Sequence, residues 1–115
     1  MTKHSDIGPL VDMGDYCKRV IEKTVRVSRA DFDADENLQL AVTHLVQIIG
    51  EAASRVTEET CATHPEIDWP NIVGMRNRIV HDYGGIAIDR IWDIATVDVP
   101  HLLVALEAFV PSDPP

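Results

Sequence analysis

The sequence predicts an all-α fold, an up-and-down bundle of four to five helices. Hydrophobic residues make up 45% of the chain and charged residues 25%, ordinary values for a protein that buries a core. Aromatics are only 5%, so that core rests on Leu, Ile, Val and Ala, which suits packed helices better than a sheet. Apolar residues recur at three- and four-residue steps, and no stretch alternates as a strand would. A length of 115 residues fits a single domain over 1–115, with the closing "PSDPP" read as a disordered tail at about 111–115.

Leu10, Met13, Cys17, Val20, Ile21 and Thr24 keep helical spacing, so the first helix is expected from about Pro9 to Val27. The acidic "SRADFDADEN" supplies turn formers, and Asp35 is the N-cap chosen for the next element. Leu38, Ala41, Val42, Leu45, Ile48, Ile49, Ala52, Ala53 and Val56 then hold the period from about Glu36 to Cys61, interrupted only by Gly50. In "THPEIDWPN", Pro65 ends one element, and Asp68 or Trp69 caps a short third helix with Pro70 in its first turn. Gly84 and Gly85 end that helix. A final one is expected from about Asp89 to Phe109, broken or kinked before Pro100.

The third helix carries "RNRIVHDY" at 76–83. On an ideal helix Trp69, Ile72, Val73, Ile79, Val80 and Tyr83 all fall within about 60° of Arg76, which sets an arginine in the middle of an apolar stripe. One reading has its methylenes lie on the core while the guanidinium reaches water or pairs with a carboxylate such as Glu51. The other has the stripe wider than one helix needs because part of it meets a second subunit, with Arg76 in a partly desolvated cleft awaiting an anion. His81 lies about 140° from Arg76 and shares no face with it, whereas Asn77 and His81, at i and i+4, do share one. In a two-fold dimer the arginine and histidine could still converge on one groove.

Other chemistries are not visible. There is no phosphate loop, no GxSxG and no GxGxxG, and the five histidines have no partner at metal-ligand spacing, so neither a metal nor another cofactor is expected. Cys17 and Cys61 form no disulfide framework, "MTKHSDIGPL" lacks the regions of a signal peptide, and no run approaches the roughly 18 apolar residues of a membrane span. A cytoplasmic protein with no membrane partner is expected. The net charge of −9 argues against sequence-blind binding of nucleic acid, but it is unevenly spread: residues 18–29 carry +4, residues 71–92 carry +1, and the rest −14.

Three segments together resemble a known family: "IIGEAA" at 48–53, "HPEIDWPNIVGMRNRIVHDYGGI" at 64–86 and "IWDIATVDVPHL" at 91–102. They resemble the HepT-like branch of the HEPN ribonucleases over about residues 8–110. That family's signature is an arginine, a polar residue directly after it, a histidine four intervening positions from the arginine, and a tyrosine two beyond the histidine. Arg76, Asn77, His81 and Tyr83 match each part. The resemblance implies a HEPN-like homodimer joined through the motif helix, cutting RNA without metal at a composite interface site. It also implies a toxin paired with an MntA-type nucleotidyltransferase antitoxin that adenylylates Tyr83.

In that scheme His81 serves as base or acid, since an unperturbed imidazole titrates at roughly 6.5. Arg76 holds the scissile phosphate and the charge that grows on it, and Asn77 orients His81 or the phosphate. An alternative from another class is a non-catalytic HEPN-type dimer that docks a nucleotidyltransferase. Two positions depart from the commonest family pattern: Arg78, where an apolar residue is frequent, and Asp82, which sets a carboxylate beside His81.

Overall fold

A computed structural model of the chain describes residues 4–79 and 87–111. It is a helical bundle with no strand among the described residues. Its elements are α1 (His4–Thr24), α2 (Arg29–Asp33), α3 (Glu36–Ser54), α4 (Glu58–Thr63), α5 (Trp69–Val73), α6 (Met75–Arg78), α7 (Ile88–Asp93), a π-helical turn (Ile94–Asp98) and α8 (Val99–Glu107). The expected bundle helices are therefore present, but all except the first are segmented. α1 and α3 lie side by side, α8 packs on α1, and α5, α6 and α7 pack on α3. No helix among the described residues is long and apolar enough to cross a membrane.

Much of the core is what the periodicity picked out, with Phe32, Val46 and Met75 as fully buried additions. Leu10, Met13, Cys17 and Val20 of α1 are fully buried, and so are Val42, Val46, Ile49 and Ala52 of α3 and Ile91, Ile94 and Val99 of the last arm. Burial among these side chains pushes the Cys17 thiol up to about 12, so it stays protonated and behaves as a small hydrophobe.

Boundaries moved where side chains intervened. α1 begins at His4 rather than near Pro9, because Pro9 removes only the bond its own N–H would have made to the preceding turn. It ends at Thr24 rather than near Val27, and Ser28 then accepts from the Asp31 N–H at 3.1 Å to start α2 inside the stretch read as a turn. Phe32 holds that short helix down: it is fully buried, its ring centroid 5.0 Å from that of Trp92. Asp35 does cap α3, accepting from the Leu38 N–H at 3.0 Å. Asp68 caps α5 with Pro70 in the first turn.

The helix expected over 36–61 stops at Ser54 and restarts as α4. Asp6, buried in α1, is the cause. Its carboxylate accepts from the Thr57 N–H at 3.0 Å, from Thr57 Oγ1 at 2.8 Å and from Thr60 Oγ1 at 2.6 Å. An uninterrupted helix would have sent the Thr57 N–H to the carbonyl of Ala53, so the charge-assisted tertiary bond outcompetes a neutral helical one. Thr57 instead becomes the N-cap of α4.

The kink expected before Pro100 is a widened turn rather than a break. The Val99 N–H reaches back five residues to the Ile94 carbonyl. Thr96 Oγ1 meanwhile donates to the Trp92 carbonyl at 2.7 Å, satisfying an acceptor inside the disturbed ladder.

Because Asp6 satisfies three donors from a buried position, Asp6→Ala should cost about 3 kcal/mol of unfolding free energy, and Asp6→Asn clearly less. Chemical denaturation measures both; a change under roughly 0.5 kcal/mol for the alanine variant would show that the contact does not hold α1 to α4.

Candidate active site

The motif begins where α3 and the α5–α6 arm approach most closely. A Cβ built on Gly50 would lie 3.1 Å from the Ile72 carbonyl oxygen, 3.4 Å from that of Val73 and 3.9 Å from Met75 Cβ. The interruption in the α3 period is thus the seat on which the motif arm rests. Trp69, Ile72, Met75 and Ile79 face the core from that arm, all at least nine-tenths buried. Trp69 Nε1 donates to the His64 carbonyl at 3.1 Å, and the His64 ring stacks on Phe109 at 3.5 Å between centroids.

The arm bends at Gly74, whose N–H bonds the Pro70 carbonyl at 2.9 Å and whose own carbonyl accepts from Asn77 at 3.0 Å and Arg78 at 3.3 Å. Arg76 and Asn77 are exposed on the single turn that follows. This corrects the picture of an arginine in the middle of the core stripe. The buried face is centred on Ile72, Met75 and Ile79, and Arg76 lies at its edge with Val73, itself 41% exposed, on the other side. Among the described residues Arg76 has no hydrogen-bond or ion-pair partner, and the pairing with Glu51 is not formed.

His81 and Tyr83 lie outside the described residues, as do Asp82, Gly84 and Gly85. The two sides of that stretch meet: the Ala87 N–H donates to the Ile79 carbonyl at 2.8 Å. Around this closure are groups the sequence did not single out as partners. Arg78 Nη2 bonds Asp98 Oδ2 at 3.0 Å, and Arg90 Nη1 donates to the Arg78 carbonyl at 3.4 Å. Arg29, which pairs with Asp33 at 2.7 Å, also pairs with Asp89 beside the closure. No sequence signal links Arg78 to Asp98, since they are twenty positions apart on different elements.

Residues 13–109 match the family model for HepT-like ribonucleases. The chain belongs to the HepT-like ribonuclease family. It is similar to the "Probable ribonuclease HepT" of Thermococcus cleftensis, 31% identical over 87% of this chain and 91% of that one. A protein of Caldanaerobacter subterraneus subsp. tengcongensis, provisionally named an RNase, is 33% identical over 75% of this chain and 77% of its own. A similarly named protein of Methanocaldococcus jannaschii is 30% identical over 93% and 98%. No solved structure matches the chain. The resemblance read from "IIGEAA" and "RNRIVHDY" is therefore borne out at the level of the HepT-like family.

The glycine seat makes a paired expectation. Gly14 in α1 has nothing within 4 Å of a built Cβ, whereas Gly50 faces two backbone carbonyls. Gly14→Ala should therefore stabilise by roughly 0.5–1 kcal/mol, and Gly50→Val should destabilise by about 2 kcal/mol through overpacking. Thermal unfolding of the two variants compares them; equal shifts of one sign would mean that α3 and the motif arm are not in close contact.

Proposed function

We propose that this HepT-like ribonuclease is a metal-independent endoribonuclease acting as a homodimer, with Arg76 and His81 as catalytic residues, Asn77 as an orienting residue and Tyr83 as a modification site. The observation that supports it most is the placement of Arg76. It is a fixed cation on a turn anchored from below by Met75 and Ile79, turned to solvent, and uncommitted among the described residues. Exposed Val73 beside it gives a second protomer an apolar surface next to the arginine.

In the reaction, a neutral His81 takes the proton of a ribose 2′-hydroxyl. The 2′-oxygen forms a bond to phosphorus as the bond from phosphorus to the 5′-oxygen breaks. The departing oxygen takes a proton from a protonated His81 of the second protomer. The products are a 2′,3′-cyclic phosphate and a 5′-hydroxyl. Arg76 places its planar fork of donors on the phosphoryl oxygens, where negative charge grows in the transition state.

The biological setting proposed is a toxin–antitoxin pair in the cytoplasm. A partner nucleotidyltransferase of the MntA type moves AMP from ATP onto the Tyr83 hydroxyl, releasing pyrophosphate. The added phosphodiester is a bulky anion a few residues from Arg76, so it competes with RNA by occupancy and by charge.

RNA incubated with the protein in excess chelator should be cut by the parent chain, and Arg76→Ala and His81→Ala should each lower the rate by at least about 100-fold with folding unchanged. The rate should pass through a maximum with pH, because one imidazole must be neutral while the other is charged. Cleavage of DNA at a comparable rate, or activity that both variants retain, would defeat the scheme. A folded parent that never cuts RNA would favour the docking subunit instead.

Protein carrying adenylate on Tyr83 should cut the same RNA at least about tenfold more slowly than the unmodified chain, with Tyr83→Phe active but insensitive to the transferase. Equal rates before and after modification would remove Tyr83 from the regulatory role.

A further inference from the structure

Resting on the reading above, we infer that Asp98, on the π-helical turn, is a positioning residue for the motif: its ion pair with Arg78 fixes the orientation in which Arg76 is presented. The turn that carries Arg76 has only four residues, Met75–Arg78. A helix that short has almost no ladder of its own, so its rotation about the axis is set from outside. Met75 and Ile79 press it inward, and the Gly74 carbonyl accepts from the Asn77 and Arg78 N–H groups. Apolar contacts are non-directional and hold the turn down without by themselves specifying its rotation. The Arg78–Asp98 bond at 3.0 Å is a directional restraint to another element, two residues from Arg76.

The same pair stands at the base of the stretch that holds His81 and Tyr83. Ile79, next to Arg78, accepts from Ala87 at 2.8 Å, and the Arg78 carbonyl accepts from Arg90 at 3.4 Å. The entry to that stretch, its exit and the Arg76 turn are therefore tied through Arg78 to one carboxylate. The widened turn sets that carboxylate's place, because the extra residue in the π register changes the direction in which the last residues of the turn point.

Stability alone is a poor explanation of the pair. Arg78 and Asp98 side chains are 37% and 30% exposed, so water screens their attraction. Arg78 Nη1 is buried and finds no acceptor among the described residues, which counts against the fold. An arrangement that adds little to stability, with one donor unmatched among the described residues, is better explained by the geometry it imposes.

The test uses the full chain with Asp98→Asn, Arg78→Met and the charge exchange Arg78→Asp with Asp98→Arg. Three quantities are read: kcat and KM on a single-stranded RNA oligonucleotide, the thermal midpoint, and amide hydrogen exchange at Ala87. Asp98→Asn should lower kcat by about tenfold or more while KM stays within about twofold and the midpoint within about 2 °C. Exchange at Ala87 should quicken by about tenfold, and the charge-exchanged chain should regain most of both losses. Parent-like kcat in Asp98→Asn, or a loss no larger than its unfolded fraction accounts for, overturns the proposal. If the parent chain and Arg76→Ala both fail to cut RNA, it is the ribonuclease reading that falls. Exchange at Ala87 then decides alone: quickening upholds the restraint, and no change removes it.

Discussion

The contact on which the motif depends is the close approach of the α5–α6 arm to Gly50. Two backbone carbonyl oxygens, of Ile72 and Val73, lie 3.1 and 3.4 Å from where any other residue would have a Cβ. That distance lets the arm bury Trp69, Ile72, Met75 and Ile79 against α3. A glycine inside a helix is unfavourable by roughly 1 kcal/mol against alanine, and burial of even one of those side chains offsets it, at about 1.5–3 kcal/mol. The local weakness in α3 is thus the condition for a rigid platform under Arg76.

A second contact works the other way, by ending a helix instead of admitting a neighbour. Asp6 collects donors from Thr57 and Thr60 across more than fifty residues of chain, and α3 and α4 separate there. α4 then leads into the His64 turn, where stacking on Phe109 and the bond from Trp69 hold the start of the motif arm. The arm is therefore positioned at three places: the Gly50 seat, the His64 turn and the Asp98 carboxylate. All three were beyond reach of any local rule of sequence, because each pairs residues on different elements.

What the sequence made legible follows from the range of the forces involved. The apolar period of Leu10, Met13, Cys17 and Val20, and of Val42, Leu45, Ile49 and Ala52, reports burial directly, and these side chains are buried. Asp35 and Asp68 cap as expected because a capping side chain acts within three residues. Pro100 announced the disturbance that became the π turn. The projection around Arg76 failed for a specific reason. It left Met75 out of the stripe, counted Val73 in, and took the arm as one straight helix; the bend at Gly74 and the burial of Met75 rotate the core face away from the arginine. The family was legible because the spacing of Arg76, Asn77, His81 and Tyr83 is itself local, whereas the supports of that motif are not.

The arginines of this region divide by what they are bound to. Arg29 is held by Asp33 and Asp89, Arg78 by Asp98, and Arg90 bonds the Arg78 carbonyl. These cations tie α2, α6, α7 and the π turn together, and the charges of Arg29 and Arg78 are offset by the carboxylates beside them. Arg76 alone of the arginines between 71 and 92 is turned outward with no partner among the described residues. For a chain of net charge −9, that division matters more than the total. A broadly basic surface would attract any polyanion, whereas an exposed, unpartnered guanidinium among arginines already bonded to protein groups favours a phosphate delivered by shape to one point. Under the proposed dimeric ribonuclease, affinity for RNA on such a surface has to come from fit and from a second protomer, which would make the orientation of the Arg76 turn, and so the carboxylate that sets it, the limiting feature of the site.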